Sequence, residues 1–290
     1  MSTNIGVLIL NYNNPDMTME CFESIKNQKG DFTLEFLIVD NGSEENHYLK
    51  LLDNLHEYQS VNVLRISQNF GPGPAISSGL KAISENHEYV LMTHNDTLLT
   101  DGALAKLLAS IESNQDFAAI GALQVDFDQP YKVRYSGGRF RSFGLLPSHT
   151  KKINSKTILK EADWLDFTSL VFNVPHLEEI GFPKEIFDFY WEDGEWSIRA
   201  KKKGYKLGVC TDAIVRHKFG ATLGTNTNSR FFEKMITHHF LVIEMHGRKL
   251  DIRIAQLYWF YKALQFLLRF QARKAIWILT SLRDQARSNG

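Results

Sequence analysis

Apolar residues in the first part of the chain gather into short runs of strand length, at 5–10, 34–39, 61–66, 89–93 and 118–125. Runs of this kind, rich in Ile, Val and Leu, are the pattern of strands buried on both faces. Between them, 15–27, 44–58, 75–84 and 102–113 carry helical spacing. Strands alternating with helices of this length predict an α/β domain with a mainly parallel central sheet flanked by helices. Further on, 147–161 is polar, Lys-rich and aperiodic and reads as a surface loop, whereas 163–174 and 207–215 read as strands.

Ligands of such sheets bind at the carboxyl ends of the strands. Just past four successive predicted strands stand Asn11 and Asn13, then Asp40, Asn41 and Ser43, then Asn69 and Gly71, then His94, Asn95 and Asp96. Each group alone is ordinary turn chemistry. Four such groups at one edge predict a pocket lined with hydrogen-bonding side chains.

The segment 187–205 carries a second signal. Phe189, Tyr190 and Trp191 lead into adjacent carboxylates, Glu192 and Asp193, and a short helical pattern closes at Gly204. A carboxylate beside an aromatic wall can hold a raised pKa and act as a base. The same residues also suit a helix start, with acidic groups at the first turn and Glu195 paired to Arg199 at i,i+4. His94, Asn95 and Asp96 at a strand end, with His217 downstream, allow an oxygen- and nitrogen-ligated Mg²⁺ or Mn²⁺. His217 taken by itself reads more readily as a structural histidine than as a ligand.

Composition narrows the field. The chain has 290 residues, with Lys+Arg and Asp+Glu balanced at 33 each, so no global field draws it to nucleic acid. Cys21 and Cys210 are too few for a disulfide framework, which suits a reduced, cytoplasmic compartment. The N-terminus reads as a first strand rather than a signal peptide. The turn at Gly71, Pro72, Gly73 and Pro74 is not a dinucleotide fingerprint, and P-loop, nucleophile-elbow and zinc-protease motifs are absent from the sequence.

As a set, these motifs resemble those of family 2 glycosyltransferases of the GT-A fold, the group that includes bacterial rhamnosyl- and galactofuranosyltransferases. The resemblance rests on the first-strand run ending at Asn11-Tyr-Asn13, on Asp40-Asn-Gly-Ser, on Asn69-Phe-Gly71-Pro-Gly73, on His94-Asn-Asp96, on Asp163-Trp164, on Glu192-Asp193 through Arg199, and on Arg216-His217. It covers about residues 4–220. It implies a Rossmann-like catalytic domain over 1–220, with a donor half at about 1–125 and an acceptor half at about 126–220, and a helical extension over 221–290. It further implies a sugar nucleotide bound by Asn11, Asn13, Asp40, Asn69, Gly71, Asn95 and Arg199, and a divalent cation on Asp96 and His217. Asp193 would be the base of an inverting transfer, with Glu192, Trp191, Asp163 and Trp164 on the acceptor side. Rhamnose from dTDP-rhamnose is the sugar favoured by the resemblance, with UDP-galactofuranose or a UDP-hexose as alternative, in the synthesis of surface polysaccharide such as O-antigen. The chain departs from the family at Phe167-Thr168, where a Gly-Ala pair is common, and at His94, where the family carries an acid. A silent sugar-nucleotide or glycan-binding module is the reading from a different class; the intact Glu192, Asp193, Asp96 and His217 oppose it.

The last forty positions differ in kind. From 251 onward there are seven basic and two acidic residues, interleaved with Tyr258, Trp259, Phe260, Tyr261, Phe266, Phe270 and Trp277. Such a segment suits an interface-lying helix pair on the cytoplasmic face of a membrane. It suits equally a helix packed on the catalytic domain or at a homodimer contact.

Overall fold

In the computed structural model the apolar runs pair within one ten-stranded sheet. The structure describes residues 2–141, 144–153, 158–218 and 228–288. Residues 154–157 of the expected loop and 219–227 at the expected domain boundary lie outside these. In chain order the elements of the sheet region are β1 (Thr3–Asn11), α1 (Pro15–Lys26), β2 (Phe32–Asn41), α2 (Glu45–Leu55), β3 (Val61–Ile66), α3 (Pro72–Ser84), β4 (Tyr89–His94), β5 (Thr97–Leu99), α4 (Ala103–Glu112) and β6 (Phe117–Asp126). There follow β7 (Val133–Tyr135), β8 (Gly138–Phe140), β9 (Pro147–His149), β10 (Leu159–Ala162), β11 (Ser169–Asn173), α5 (Val174–Ile180), α6 (Glu192–Lys202) and β12 (Lys206–His217). Helices α7 (Ser229–His246), α8 (Lys249–Leu268) and α9 (Ala272–Ser288) complete the chain.

The strands read from the apolar runs are present, and so is the parallel core: β1 lies between β2 and β4, and β2 beside β3, all parallel. Parallel register brings Asn11 beside Asp40, and Asp40 beside Arg65, so the polar strand ends line one edge. Antiparallel β11 runs between β4 and β6, with Ser169 opposite Thr93. It therefore starts at the edge where β4 ends, and the segment before it, 163–168, is delivered to that edge. Strand β12 lies parallel to β6 and antiparallel to β5, which sets His217 opposite Thr97.

Three local expectations change. Helix α3 begins at Pro72, because proline is tolerated at the first helical position where its missing N–H has no partner to lose. Only Ser169–Asn173 of the stretch 163–174 is strand, since the Asn173 side chain accepts from the His176 N–H and caps α5. The polar stretch 147–161 is not all loop, for β9 and the start of β10 fall within it.

The chain divides into two units, one of Met1–Arg139, His149–Asp188 and Glu192–Thr222, the other of Phe140–Ser148, Phe189–Trp191 and Leu223–Gly290. The sheet unit has its core among Ile5, Val7, Phe22, Ile38, Leu91 and Leu107. The helical unit has a separate core, in which Phe232, Ile236 and Phe240 of α7 meet Trp259 of α8 and Ile278 of α9. Among the described residues no helix is long and apolar enough to cross a membrane.

Candidate active site

The strand-end edge of the sheet unit is built around a carboxylate with no exposure at all. Asp40 Oδ1 accepts from Asn11 Nδ2 at 2.7 Å and from the Ser43 hydroxyl, and Oδ2 accepts from the Ser43 N–H at 3.2 Å. Asn11 Oδ1 in turn accepts from Thr18 Oγ1 at 2.7 Å, and Asn95 Nδ2 donates to the same Thr18 hydroxyl at 2.9 Å. One network thus ties the ends of β1, β2 and β4 to α1. Asn13, with φ +51°, donates its N–H to Ser43 Oγ and accepts from the Glu44 N–H, both at 2.8 Å. Asn69 Oδ1 accepts from the Gly71 N–H at 2.8 Å, while Asn41 Nδ2 donates to Asn69 Oδ1 at 3.3 Å and to the Gly71 carbonyl at 3.1 Å. Gly71 has φ +94°, and a Cβ there would stand 1.9 Å from the Asp188 carbonyl oxygen, so only glycine fits.

Next to this cradle the turn between β4 and β5 presents Asp96 to His217. Asp96 Oδ1 lies 3.4 Å from His217 Nε2, and Gln124 Oε1 lies 3.2 Å from His217 Nδ1. Gln124 gives its amide nitrogen to Asp166 Oδ1 at 2.6 Å, which turns its oxygen toward the histidine. An amide oxygen only accepts, so Nδ1 carries a proton and Nε2 is turned to the Asp96 carboxylate. Two lone-pair donors converging in this way need a proton or a cation between them. Burial works to raise the Asp96 carboxyl, but hydrogen bonding and charge from His217, with the charge of His94, hold it below the usual range. Burial also depresses His94, whose Nε2 is buried and without a hydrogen-bond partner among the described residues. No group of three or more His, Cys, Asp or Glu side chains is gathered as a metal cluster among the described residues. The donor set of Asp96 and His217 fits a hard divalent cation that draws its other ligands from a diphosphate and water.

The carboxylates at the start of α6 are in a different state. Glu192 is pushed well above the usual carboxylate range, first by burial and then by the charges of Asp193 and Asp188. Its Oε2 is buried with no hydrogen-bond partner among the described residues. Its Cβ approaches Gly73 at the start of α3, where a side chain on the glycine would stand 3.3 Å away. Asp193 keeps partial exposure and is raised to about 7, by burial and by the charge of Asp166, against a hydrogen bond from the Gly194 N–H. Asp166 is itself raised to about 6 by burial, opposed by His217 and Gln124. Burial thus raises both carboxyls of the adjacent pair, and Asp193, at about 7, stands near neutrality, where a carboxylate suits general-base chemistry.

Other sequence-predicted residues lie elsewhere. Arg199 spends four of its five N–H donors inside the sheet unit: Nε donates to Glu195 at 3.0 and 3.1 Å, and its terminal nitrogens donate to the carbonyls of Ile180, Gly181 and Phe182. It thereby fastens α6 to the end of α5. Trp191 belongs to the helical unit, its faces taken by Phe140 at 6.3 Å and His239 at 4.6 Å, with Nε1 donating to the Met235 carbonyl. Asp163 pairs with Arg139 and Lys201, and Trp164 packs against Gly138 and Tyr135. Sequence reasoning missed Gln124, Tyr135 and Asp166. Tyr135 pins the segment by donating to the Trp164 carbonyl and accepting from the Asp166 N–H, both at 3.0 Å. A polar residue inside the apolar run of β6 was the available signal for Gln124. For Asp166 the signal was a second acid three positions after Asp163.

Residues 6–171 match the family model described as glycosyl transferase family 2. Over 222 residues the chain is 24% identical to the low-salt glycan biosynthesis hexosyltransferase Agl10 of Haloferax volcanii, covering 74% of this chain and 67% of that one. Over 239 residues it is 21% identical to the O-antigen chain rhamnosyltransferase RfbN of Salmonella typhimurium, covering 81% and 72%. In fold it is similar to GalNAc-T7 solved with UDP, GalNAc and Mn²⁺, with TM-score 0.69 at 15% identity over 83% of this chain. It spans about half of that structure's length, 48%. It is also similar to the mannosyltransferase PcManGT from Pyrobaculum calidifontis in complex with GDP-Man and Mn²⁺, with TM-score 0.58 at 15% identity over 97% of this chain and 75% of that one. The chain belongs to glycosyl transferase family 2 and is a glycosyltransferase of the GT-A fold.

Proposed function

We propose that the protein is an inverting glycosyltransferase that moves a sugar from a nucleoside diphosphate to a hydroxyl of a glycan or lipid-linked glycan. The observation that carries this reading is the buried pair at the start of α6, in which Asp193 is raised to about 7 beside Glu192, itself pushed well above the usual carboxylate range by burial. In the proposed reaction the acceptor hydroxyl gives its proton to the Asp193 carboxylate while its oxygen bonds to the anomeric carbon. The bond from that carbon to the leaving phosphate oxygen breaks on the opposite face, and one displacement inverts the centre without a protein nucleophile.

Asn11, Asn13, Asn69, Gly71 and Asn95 shape the donor cradle in this account, and buried Asp40 holds its loops in place. Asp96 and His217 would hold a divalent cation, Mn²⁺ or Mg²⁺, which supplies charge neutralisation at the departing diphosphate. Gln124 and Asp166 are positioning residues that fix the His217 tautomer. Glu192, Asp163 and Trp164 remain proposed for the acceptor side.

The favoured donor is dTDP-rhamnose, supported by the likeness to an O-antigen rhamnosyltransferase, and the setting is cytoplasmic assembly of surface polysaccharide. A UDP-hexose is the second reading, supported by the likeness to a hexosyltransferase. A thermal-shift panel of sugar nucleotides with and without Mn²⁺, followed by NMR of the product anomer, tests both. The expected result is Mn²⁺-dependent stabilisation by one donor and a product of inverted configuration. Retained configuration, or no response to any sugar nucleotide, would overturn the reading.

A further inference from the structure

The helical unit ends in a hairpin whose outer surface is apolar where a solvated helix is polar. Helix α8 buries Ala255, Trp259 and Ala263 in the core it shares with α7 and α9. Its opposite face is apolar as well, with Leu257 69% exposed and Phe260, Tyr261 and Leu264 exposed beside it. A helix apolar on both sides is expected to be covered on both. Leu257 and Phe260 join Leu279 and Leu282 of α9 along a groove of about 510 Å³, with Arg253 and Arg283 at its rim. At the turn between the helices Leu268 is 73% and Phe270 98% exposed. Phe270 has φ +57°, an unfavourable conformation for a bulky residue, so a bare aromatic is held at the tip at some cost. Beside it Arg273, Lys274 and Trp277 line a hollow of about 410 Å³. A contiguous apolar patch of this kind marks an interaction surface.

Charge selects the occupant. From 252 to 283 there are six basic residues and no acidic one. A second copy seated through the same face by twofold symmetry would set these charges against each other, with only Asp284 beside them, already paired with Arg283 at 3.3 Å. An anionic bilayer offers phosphates to the basic rim and an interfacial zone to the aromatic and aliphatic side chains. Helix α8 has 20 residues. Neither it nor any other helix among the described residues is apolar enough to cross a membrane. We propose that the α8–α9 hairpin is a docking surface for an anionic lipid bilayer, with Leu268 and Phe270 inserted at the tip and Arg269, Arg273 and Lys274 on headgroup phosphates. This inference is independent of the sugar-transfer reading.

The test is cosedimentation of the full chain with vesicles of phosphatidylcholine alone and of phosphatidylcholine with phosphatidylglycerol, at low and high salt. Binding to the anionic vesicles is expected, weakened by salt. It falls about tenfold or more in R269E/R273E and again in L268S/F270S. Those four side chains are exposed, so an unchanged Tm and unchanged donor turnover in solution are expected to accompany the loss. Cys21 and Cys210 are buried, so a polarity-sensitive thiol fluorophore carried on Phe270→Cys reports the tip itself and is expected to shift to the blue on anionic vesicles. Equal sedimentation with and without vesicles would overturn the proposal, as would salt-independent binding to neutral vesicles. So would a dimer, seen by light scattering, that L257E/F260E dissociates while vesicles bind no protein; that result would assign the face to a second subunit.

Discussion

The Asp40 network and the carboxylates at the start of α6 both bury charge in the sheet unit, and they treat it in opposite ways. Around Asp40 the acceptors on the carboxylate are met by Asn11 and Ser43, and the chain of bonds continues through Thr18 to Asn95. At α6 the Asp193 carboxyl is raised by burial and then by a third carboxylate, Asp166, and Glu192 has an oxygen with no hydrogen-bond partner among the described residues. Satisfied polarity fixes a shape, and under-satisfied charge stores a readiness to take up a proton. The first region has the character of a scaffold, and the second is the one to which the proposed proton transfer is assigned.

The comparison is broken most severely at Asp193. Asp193→Asn is expected to reduce transfer by about 10²–10⁴-fold or more, the usual loss for a general base, with donor affinity nearly unchanged. The same variant is expected to gain stability over the wild type as pH rises. Between about pH 4 and about pH 7 the folded chain holds a proton on Asp193 that the unfolded chain has released, so the wild type loses stability through that window. Thermal unfolding of both proteins across pH would show the gap opening. A gap that closes with rising pH would contradict the raised carboxyl.

Asp40→Ala tests the other region. It strands the Asn11 amide, the Ser43 hydroxyl and the Ser43 N–H inside the protein, and should cost about 3 kcal/mol or more in urea unfolding. A loss of donor affinity with stability intact would make Asp40 a ligand contact instead of a scaffold. Arg199→Ala is expected to cost about 2–3 kcal/mol, because it uncouples α6 from the carbonyls of α5 and leaves buried Glu195 with Lys184 at 3.1 Å. Its donor KM should stay unchanged; a raised KM would return Arg199 to the donor side. Gln124→Leu should be the mildest, with Mn²⁺-dependent donor affinity about tenfold weaker and metal-free affinity unchanged, as expected when the partner orienting a histidine ligand is removed. Equal weakening with and without Mn²⁺ would show a general packing role.

Much of the scaffold was legible in the sequence, and the reason is physical. Parallel strands covered on both faces must be apolar runs, and their ends must turn polar where a ligand edge begins, so Asn11, Asp40, Asn69 and Asp96 stand out. The chemistry at α6 was legible only as far as residue type. Neighbours on a helix point about 100° apart, so Glu192 goes under the Gly73 turn while Asp193 feels Asp166. Adjacency in sequence could not direct Trp191 into the stack between Phe140 and His239, nor turn Arg199 to the α5 carbonyls. Asp166 stands in an irregular segment, where periodicity gives no direction at all. Helix α8 left both readings of the C-terminal segment open, because one pattern of apolar positions covers both a buried face and an exposed one.

The pH dependence of kcat/KM for sugar transfer, measured on the wild type beside Glu192→Gln, tests the assignment of the base most directly. The account predicts a rate that rises with pH and levels above about 7 in both proteins, because the deprotonated Asp193 is the active form. A flat profile from about pH 5 to about pH 9, or a rise that disappears with Glu192→Gln, would contradict it.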